Sequence, residues 1–441
     1  MIENYYLLSA NRVSIFDFLN AARWLAELNF PESSIFHGHQ LRVAYIAARL
    51  SEFMQLSHRE LKTIIKAALL HDIGLVFTAR VNSPGELSNE AMLEHSEVGA
   101  WIVSKLEFLE DVEEIHEIIR RHHTKMPGVS DAASLKAAMV QLADKIDVFQ
   151  WGHKQPYLHK KEMVNEILSM PLPEEIKETG VELIIEAPLS FWFDLNLSDF
   201  AKEEYLKDVA RWEVITYDMK SIRELGEALI TIIDFRSPVT STHSTRVAAI
   251  GEFLARAMDL PRHLQVATRV AGYLHDVGKV SVPVSILEKP GPLTRDEYMV
   301  IQQHVYYTYL FFKKANLKGR IANMAAFHHE RMDGSGYPFG LSREHLTLEE
   351  RILQVADVMA ALCEKRPYKK PLSRKQVLEI LKEEASAGRL CNLVVEKVES
   401  HFEEIYELME EKAYIKSLDF LNFMDTIIMQ KERLKGEHSD N

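Results

Sequence analysis

Cysteine is nearly absent from this 441-residue chain: Cys363 and Cys391 are the only two, and they are too far apart for a C-x-x-C pair. A disulfide framework is therefore excluded, and a reducing, cytoplasmic setting is expected. No apolar run approaches the roughly 20 residues that span a bilayer. The first residues, Met1-Ile2-Glu3-Asn4-Tyr5-Tyr6, lack the basic and apolar regions of a signal peptide. Positive charge is also scarce, with 52 Lys and Arg against 65 Asp and Glu and a net charge of −13. That balance argues against a nucleic acid polymer or an anionic membrane as partner, while leaving room for a local basic pocket. Strand-like alternation is rare as well.

What is present is helical periodicity, so an all-α fold is expected. Apolar residues recur near 3.6 along 12–30 (Val13, Phe16, Leu19, Leu25) and 60–70 (Leu61, Ile64, Ile65, Leu69), and again before His275 (Val266, Val270, Leu274). Residues 151–195 carry four prolines and no chemistry-bearing cluster, and are read as the periphery of a first domain. The division expected is 1–199 as N-terminal domain, 200–233 as a helical linker and 234–441 as C-terminal domain.

The chain repeats itself. One ordered set reads His243, His275-Asp276, His304, His328-His329, Asp357. Another reads His39, His71-Asp72, His95, His122-His123, Asp144. His39 and His71 are 32 residues apart, as are His243 and His275. His39-Gln40-Leu41-Arg42-Val43-Ala44 answers His243-Ser244-Thr245-Arg246-Val247-Ala248. This is an internal duplication. Five imidazoles and two carboxylates suffice for two metal ions, with Asp276 or Asp72 as the bridge. A buried ionised Asp is costly unless paired or bound to metal. Asp357 has Leu353, Gln354, Ala360 and Ala361 one turn away, so its own helix offers no cation. Single histidines outside the sets, such as His58, His116, His153 and His345, are read as solvated or hydrogen-bonded.

Tyr273-Leu274-His275-Asp276-Val277-Gly278-Lys279 and His328-His329-Glu330-Arg331-Met332-Asp333-Gly334-Ser335-Gly336-Tyr337-Pro338 resemble the two motifs that name the bacterial HD-GYP family of metal-dependent phosphodiesterases. The resemblance covers about residues 220–425 and implies an all-helical domain; with the internal duplication, two tandem all-helical HD-type domains are expected. It implies two divalent ions, iron or manganese, in the C-terminal domain. His243, His275, Asp276 and Asp357 would hold one; His304, His328 and His329, sharing Asp276, would hold the other. Lys279 would act beside Asp276 in catalysis, and Gly336, Tyr337, Pro338, Arg366 and Lys369 would meet the substrate. That substrate would be a cyclic dinucleotide, cyclic di-GMP or 3′,3′-cyclic GMP-AMP, opened to a linear 5′-phosphorylated product. Diguanylate-cyclase-type proteins are the partner class, and a homodimer the assembly, that suit such a domain.

Four positions depart from the family pattern. Val284 and Ala360 replace aspartates, Ser237 replaces another, and Val239 stands where a third-metal Glu would be, so two metals are expected. In the first copy Leu75 occupies the place of Lys279, and no Gly-Tyr-Pro follows His122-His123. That domain resembles the wider HD superfamily. One or two further metals there, and a role as regulator or as a 5′-phosphatase on the product, are the corresponding expectations. The competing expectation is a degenerate module that binds a dinucleotide or a signalling partner without turnover.

Overall fold

The computed structural model describes residues 12–28, 30, 34–75, 88–126, 131–153, 155–212, 214–216, 242–317, 319–364 and 371–439. Arg366 and Lys369, Ser237 and Val239, and residues 217–233 of the expected linker lie outside them. The described residues are overwhelmingly helical and fall into two units, Ser14–Val214 with Ile427–Asn441, and Met1–Val13 with Ile215–Thr426. The strands described are β1 (Arg12–Ser14) and β2 (Val214–Thr216), which pair. Residues 12–14, expected to open a helix, are thus strand. None of the described helices is long and apolar enough to cross a membrane.

In the first unit α1 (Ile15–Glu27) is followed by α2 (His39–Phe53), α3 (His58–Leu70), α4 (Asn89–Ser104), α5 (Val112–Arg121) and α6 (Ala132–Trp151). Helix α3 starts at a capping box, Ser57 with Glu60, and buries Leu61, Ile64, Ile65, Ala68 and Leu69. α2 packs on α3 and α6, and α4 on α5. This fits the apolar stripe read from the sequence, because helices bury one face. The buried Arg23–Glu27 pair at 2.9 Å also serves α2: Glu27 Oε2 accepts from Gly38 N at 3.1 Å, just before His39.

The stretch 151–195 is more than periphery. It forms α7 (Lys160–Ser169), α8 (Glu174–Glu186) and α9 (Leu189–Leu197). These bury Ile167, Leu183, Ile184, Phe191 and Trp192, and Phe191 stacks on Tyr45 at 5.7 Å. Each buried large apolar side chain contributes about 1.5–3 kcal/mol. α10 (Asp199–Ala210) packs on α2, so the start of the expected linker belongs to the packing of the first unit.

The second unit repeats the plan. α11 (His243–Ala257) packs on α12 (Arg262–Leu274) and on α16 (Leu348–Cys363). Between them run α13 (Val284–Leu287), α14 (Arg295–Lys314) and α15 (Arg320–Ala326). Capping boxes at Thr294/Glu297 and Thr347/Glu350 start α14 and α16. α17 (Arg374–Ser386), α18 (Asn392–Ser400) and α19 (Phe402–Ser439) follow. The first histidine of each set is the first residue of its helix, and the His of each His-Asp pair caps the end of the next.

Candidate metal centres

In the second unit the seven expected ligands converge. Helix α12 delivers His275 at its C-cap and Asp276 just beyond. His304 projects from the middle of α14, His328 and His329 follow α15, and Asp357 lies on α16. Asp276 sits between two groups. Its Oδ2 lies 3.1 Å from His275 Nε2 and 3.9 Å from His243 Nε2. Its Oδ1 lies 3.2 Å from His304 Nε2 and 3.8 Å from His328 Nε2. Asp357 closes the ring, with Oδ1 3.1 Å from His243 Nε2 and Oδ2 3.8 Å from His329 Nδ1. One carboxylate thus turns one oxygen to each half of the set.

Backbone carbonyls choose the tautomers. His275, His304 and His328 direct Nδ1 at the carbonyls of Gly272 (2.7 Å), Ile301 (2.5 Å) and Ala325 (2.7 Å). A carbonyl only accepts, so Nδ1 carries the proton and each Nε2 turns a lone pair inward. This is the arrangement by which imidazoles ligate metals. Electrostatics agree. Burial alone would push Asp276 up, but His275, Lys279 and His304 hold it well below the usual carboxylate range. Burial lowers His329 to about 3. The fit of a metal also shows in unmatched atoms: Nε2 of His275, and of His71 in the other copy, is buried without a hydrogen-bond partner. Imidazole with carboxylate suits iron, manganese and zinc alike.

The first unit builds the same figure. Asp72 Oδ1 meets His95 Nε2 at 3.1 Å and His122 Nε2 at 3.8 Å. Its Oδ2 meets His71 Nε2 at 3.4 Å and His39 Nε2 at 3.5 Å. Asp144 Oδ1 lies 3.2 Å from His39 Nε2, and the His123 ring is 4.9 Å from that of His95. His71, His95 and His122 again direct Nδ1 at carbonyls, of Ala68, Ala91 and Ile119. A pocket of about 320 Å³ opens over this centre between Phe36, Met92, Val148 and Met170, with Lys145 at its edge.

The copies differ where the sequence said they would. Lys279, half-buried, binds Asp276 directly, whereas Leu75 is buried carbon. Only the second copy has a Gly-Tyr-Pro loop. Tyr337 stacks on His329 with ring centroids 4.9 Å apart, and its N donates to His329 O at 3.2 Å. Gly336 passes so close to Glu330 that an added Cβ would lie 2.4 Å from the Glu330 Cα. Glu330 was missed in the sequence. Its fully buried carboxylate accepts from Phe339 N and Leu341 N, both at 2.8 Å, and staples the loop beside the histidines. Its place directly after two ligand histidines was the available signal. His153 does have partners, His159 and Glu162, with His159 Nδ1 3.1 Å from Glu162 Oε2. They lie at the start of α7 beside Lys160 and Lys161, where the positive helix end opposes a cation.

The first histidine of each set is shifted the opposite way from His71 and His329. Burial works against charge on His39, yet Asp144 and Asp147 carry it up to about 10. His243 likewise rises to about 9 through Asp357 and Glu364. Each is therefore protonated in the metal-free protein at neutral pH, and a metal must displace that proton. Metal affinity should rise about tenfold per pH unit up to these values. Calorimetric titration with Mn²⁺ near pH 7.5, in buffers of different ionisation enthalpy, should show about one proton released per centre. An affinity independent of pH from 6.5 to 8.5 would show both rings already neutral.

Comparison with known proteins identifies the domains that carry these clusters. Protein-family models described as HD domain match residues 36–148 and residues 227–394, one over each ligand set. The 3′3′-cGAMP-specific phosphodiesterase 1 of Vibrio cholerae is 27% identical over 391 residues, 84% of this chain and 88% of that protein. Phosphodiesterase 3 of the same name and organism is 31% identical over 256 residues, 57% of this chain and 54% of that one. A cyclic di-GMP phosphodiesterase of Thermotoga maritima is 32% identical over 217 residues, 48% of this chain and 58% of that protein. The fold matches the crystal structure of a cyclic GMP-AMP specific phosphodiesterase of V. cholerae with a TM-score of 0.58 at 22% identity, over 89% of this chain and 98% of that one. The chain belongs to the HD family, as an HD-GYP domain preceded by a second HD domain without the Gly-Tyr-Pro turn.

Proposed function

We propose that the C-terminal domain hydrolyses a bacterial cyclic dinucleotide, 3′,3′-cyclic GMP-AMP or cyclic di-GMP, to its linear 5′-phosphorylated form. The observation that carries this reading is Asp276, whose two oxygens face two separate imidazole groups while Lys279 binds the same carboxylate. Two divalent ions held there would supply Lewis-acid charge for the phosphate and a nucleophile from water at neutral pH. The protein's part is positional. Asp276 fixes the spacing of the two halves, and Asp357 with His243 closes one of them. Lys279 places an ammonium at the edge of the centre, where it offsets charge on the phosphate. Tyr337 and Glu330 hold the loop that walls the site. Water gives its oxygen to phosphorus, the P–O3′ bond breaks, and the 3′-oxygen leaves with a proton. The 88% overlap with a 3′3′-cGAMP-specific relative supports cyclic GMP-AMP as the first substrate to try.

The N-terminal domain keeps the ligand figure but replaces Lys279 by Leu75 and has no Gly-Tyr-Pro loop. A pocket of about 320 Å³ lies over its centre. That supports a smaller task, removal of the 5′-phosphate from the linear product, over a second ring-opening site. Regulation of the C-terminal domain is the other reading of this copy.

The test is to incubate anaerobically purified protein, loaded with Mn or Fe, with each cyclic dinucleotide and to follow products by chromatography. A linear 5′-phosphorylated dinucleotide is expected, followed by a dephosphorylated product that Asp72→Ala loses. Unchanged phosphate release in Asp72→Ala would end the phosphatase reading. If metal-loaded protein cuts neither substrate, the domain is a binding module.

A further inference from the structure

Three histidines in each centre hold their tautomer through a backbone carbonyl three or four residues earlier. His39 and His243 lack that device. Each is the first residue of its helix, so no preceding helical turn supplies a carbonyl. Their Nδ1 atoms need a side-chain acceptor.

In the first copy the acceptor is Asp147. Its Oδ2 takes His39 Nδ1 at 2.7 Å, and the carboxylate is wholly buried. Arg42 grips it through Nε at 2.8 Å and Nη2 at 3.1 Å, and Gln150 Nε2 donates at 2.7 Å. Asp147 lies three residues past the metal-facing Asp144. The matching position in the second copy, three residues past Asp357, is Ala360.

We propose that Glu364 takes over in the second copy what Asp147 does in the first, so that Ala360 is a relocated positioning carboxylate and not a lost one. Residues 360 and 364 lie one helical turn apart on the same face, and helical side chains lean toward the N-terminus. Glu is a methylene longer than Asp and reaches back over that turn. Glu364 Oε2 lies 3.5 Å from His243 Nδ1, an ion-pair contact to a buried nitrogen that has no hydrogen bond of its own, and the Glu364 side chain is 5% exposed. Arg246, three residues after His243 as Arg42 is after His39, holds Glu364 Oε1 at 3.2 Å. Arg246 also reaches Glu410 on α19, a partner that anchors it from the far side. The two copies thus share a His–carboxylate–Arg unit whose carboxylate comes from successive turns. Ala360 accordingly bears on metal binding rather than on the choice of dinucleotide. Glu364 is a positioning residue: it meets neither substrate nor metal, and acts through His243.

This inference rests on reading the C-terminal set as a metal centre, so the test reads metal first. Mn²⁺ binding is titrated against a competing chelator on the full chain in an Asp72→Ala background. Glu364→Ala should weaken binding about 10–100-fold, as loss of the outer partner of a ligating His does. Adding Ala360→Asp should restore it to within about threefold of the parent. An unchanged affinity in Glu364→Ala overturns the proposal. So does a loss that Ala360→Asp fails to repair while melting shows the double variant folded. If the double variant does not fold, Glu364→Gln decides, because its amide oxygen still accepts from Nδ1. Retained affinity in Gln with loss in Ala supports the proposal, and equal behaviour of the two overturns it. A parent that takes up no Mn²⁺ fails the metal-centre reading itself, and the proposal with it.

Discussion

Asp276→Ala will empty the C-terminal centre and lower cyclic dinucleotide cleavage by about a thousandfold or more, the several kcal/mol that metal-assisted charge stabilisation supplies. The expectation follows from geometry. Asp276 approaches both imidazole groups closely, at 3.1 Å from His275 and 3.2 Å from His304, whereas Asp357 reaches the second group only at 3.8 Å from His329. Without it His275 and His304 keep their inward lone pairs but lose the anion between them, and Lys279 loses its partner. The imidazoles and Asp357 remain, but the centre loses one of its two carboxylates, the one that joins the two groups closely, so metal affinity should fall steeply. Elemental analysis should show the C-terminal metals gone, and chromatography should show intact substrate. Asp72→Ala, the same change in the other copy, should leave ring opening within about twofold because its centre has neither the lysine nor the loop. Equal losses in both variants would contradict this division of labour.

Gly278→Ala will be among the most damaging single methyl groups in the second domain. A Cβ at 278 would stand 2.0 Å from the His304 carbonyl oxygen and 2.7 Å from Thr308 N. Both are backbone atoms of α14, so no side-chain rotation relieves the clash and the helix itself must move. Thr308 ties the same junction, accepting from Gly278 N at 3.1 Å and donating to His275 O at 2.9 Å. Overpacking of this kind costs about 1–3 kcal/mol and more when backbone shifts. At about 2–4 °C per kcal/mol for a domain of this size, the melting temperature should fall by several degrees. The larger effect is on chemistry. His304 rides on the displaced helix, and a shift of about 1 Å in a catalytic array costs about 100-fold in rate. Gly74 has the same relation to the His95 carbonyl, at 2.0 Å. Gly74→Ala should therefore loosen the first domain and leave ring opening in place. Thermal melting, metal content and turnover together check both. A Gly278→Ala protein with native metal content and rate would show that the turn at Gly278 and α14 separate freely.

How much of this was readable beforehand differs from residue to residue. The fourteen candidate ligand positions, which the structure brings into two clusters, could be read because chemistry fixes their types and duplication fixes their order: His39 to His71 and His243 to His275 repeat one interval. The contrast of Lys279 with Leu75, and of a Gly-Tyr-Pro turn with none, was equally plain. Asp147 and Glu364 were not, although Ala360 stood out as a departure. Their partners lie 108 and 121 residues away in the chain, on a helix whose facing depends on how α6 and α16 pack. Residues 151–195 show no clean period because their helices are short and broken by proline. Only their shared burial reveals Phe191 and Trp192 as core.

The sequence by itself determined the helical class, the duplication, the candidate metal ligands and which copy carries the lysine and the Gly-Tyr-Pro loop. These are local facts, set by residue type and spacing along one helix or turn. The tertiary structure alone decided which oxygen of Asp276 faces which imidazole, which carboxylate steadies His243, and why Gly278 admits no side chain. Those depend on distances between helices far apart in sequence, and such distances are fixed only when all the helices have packed.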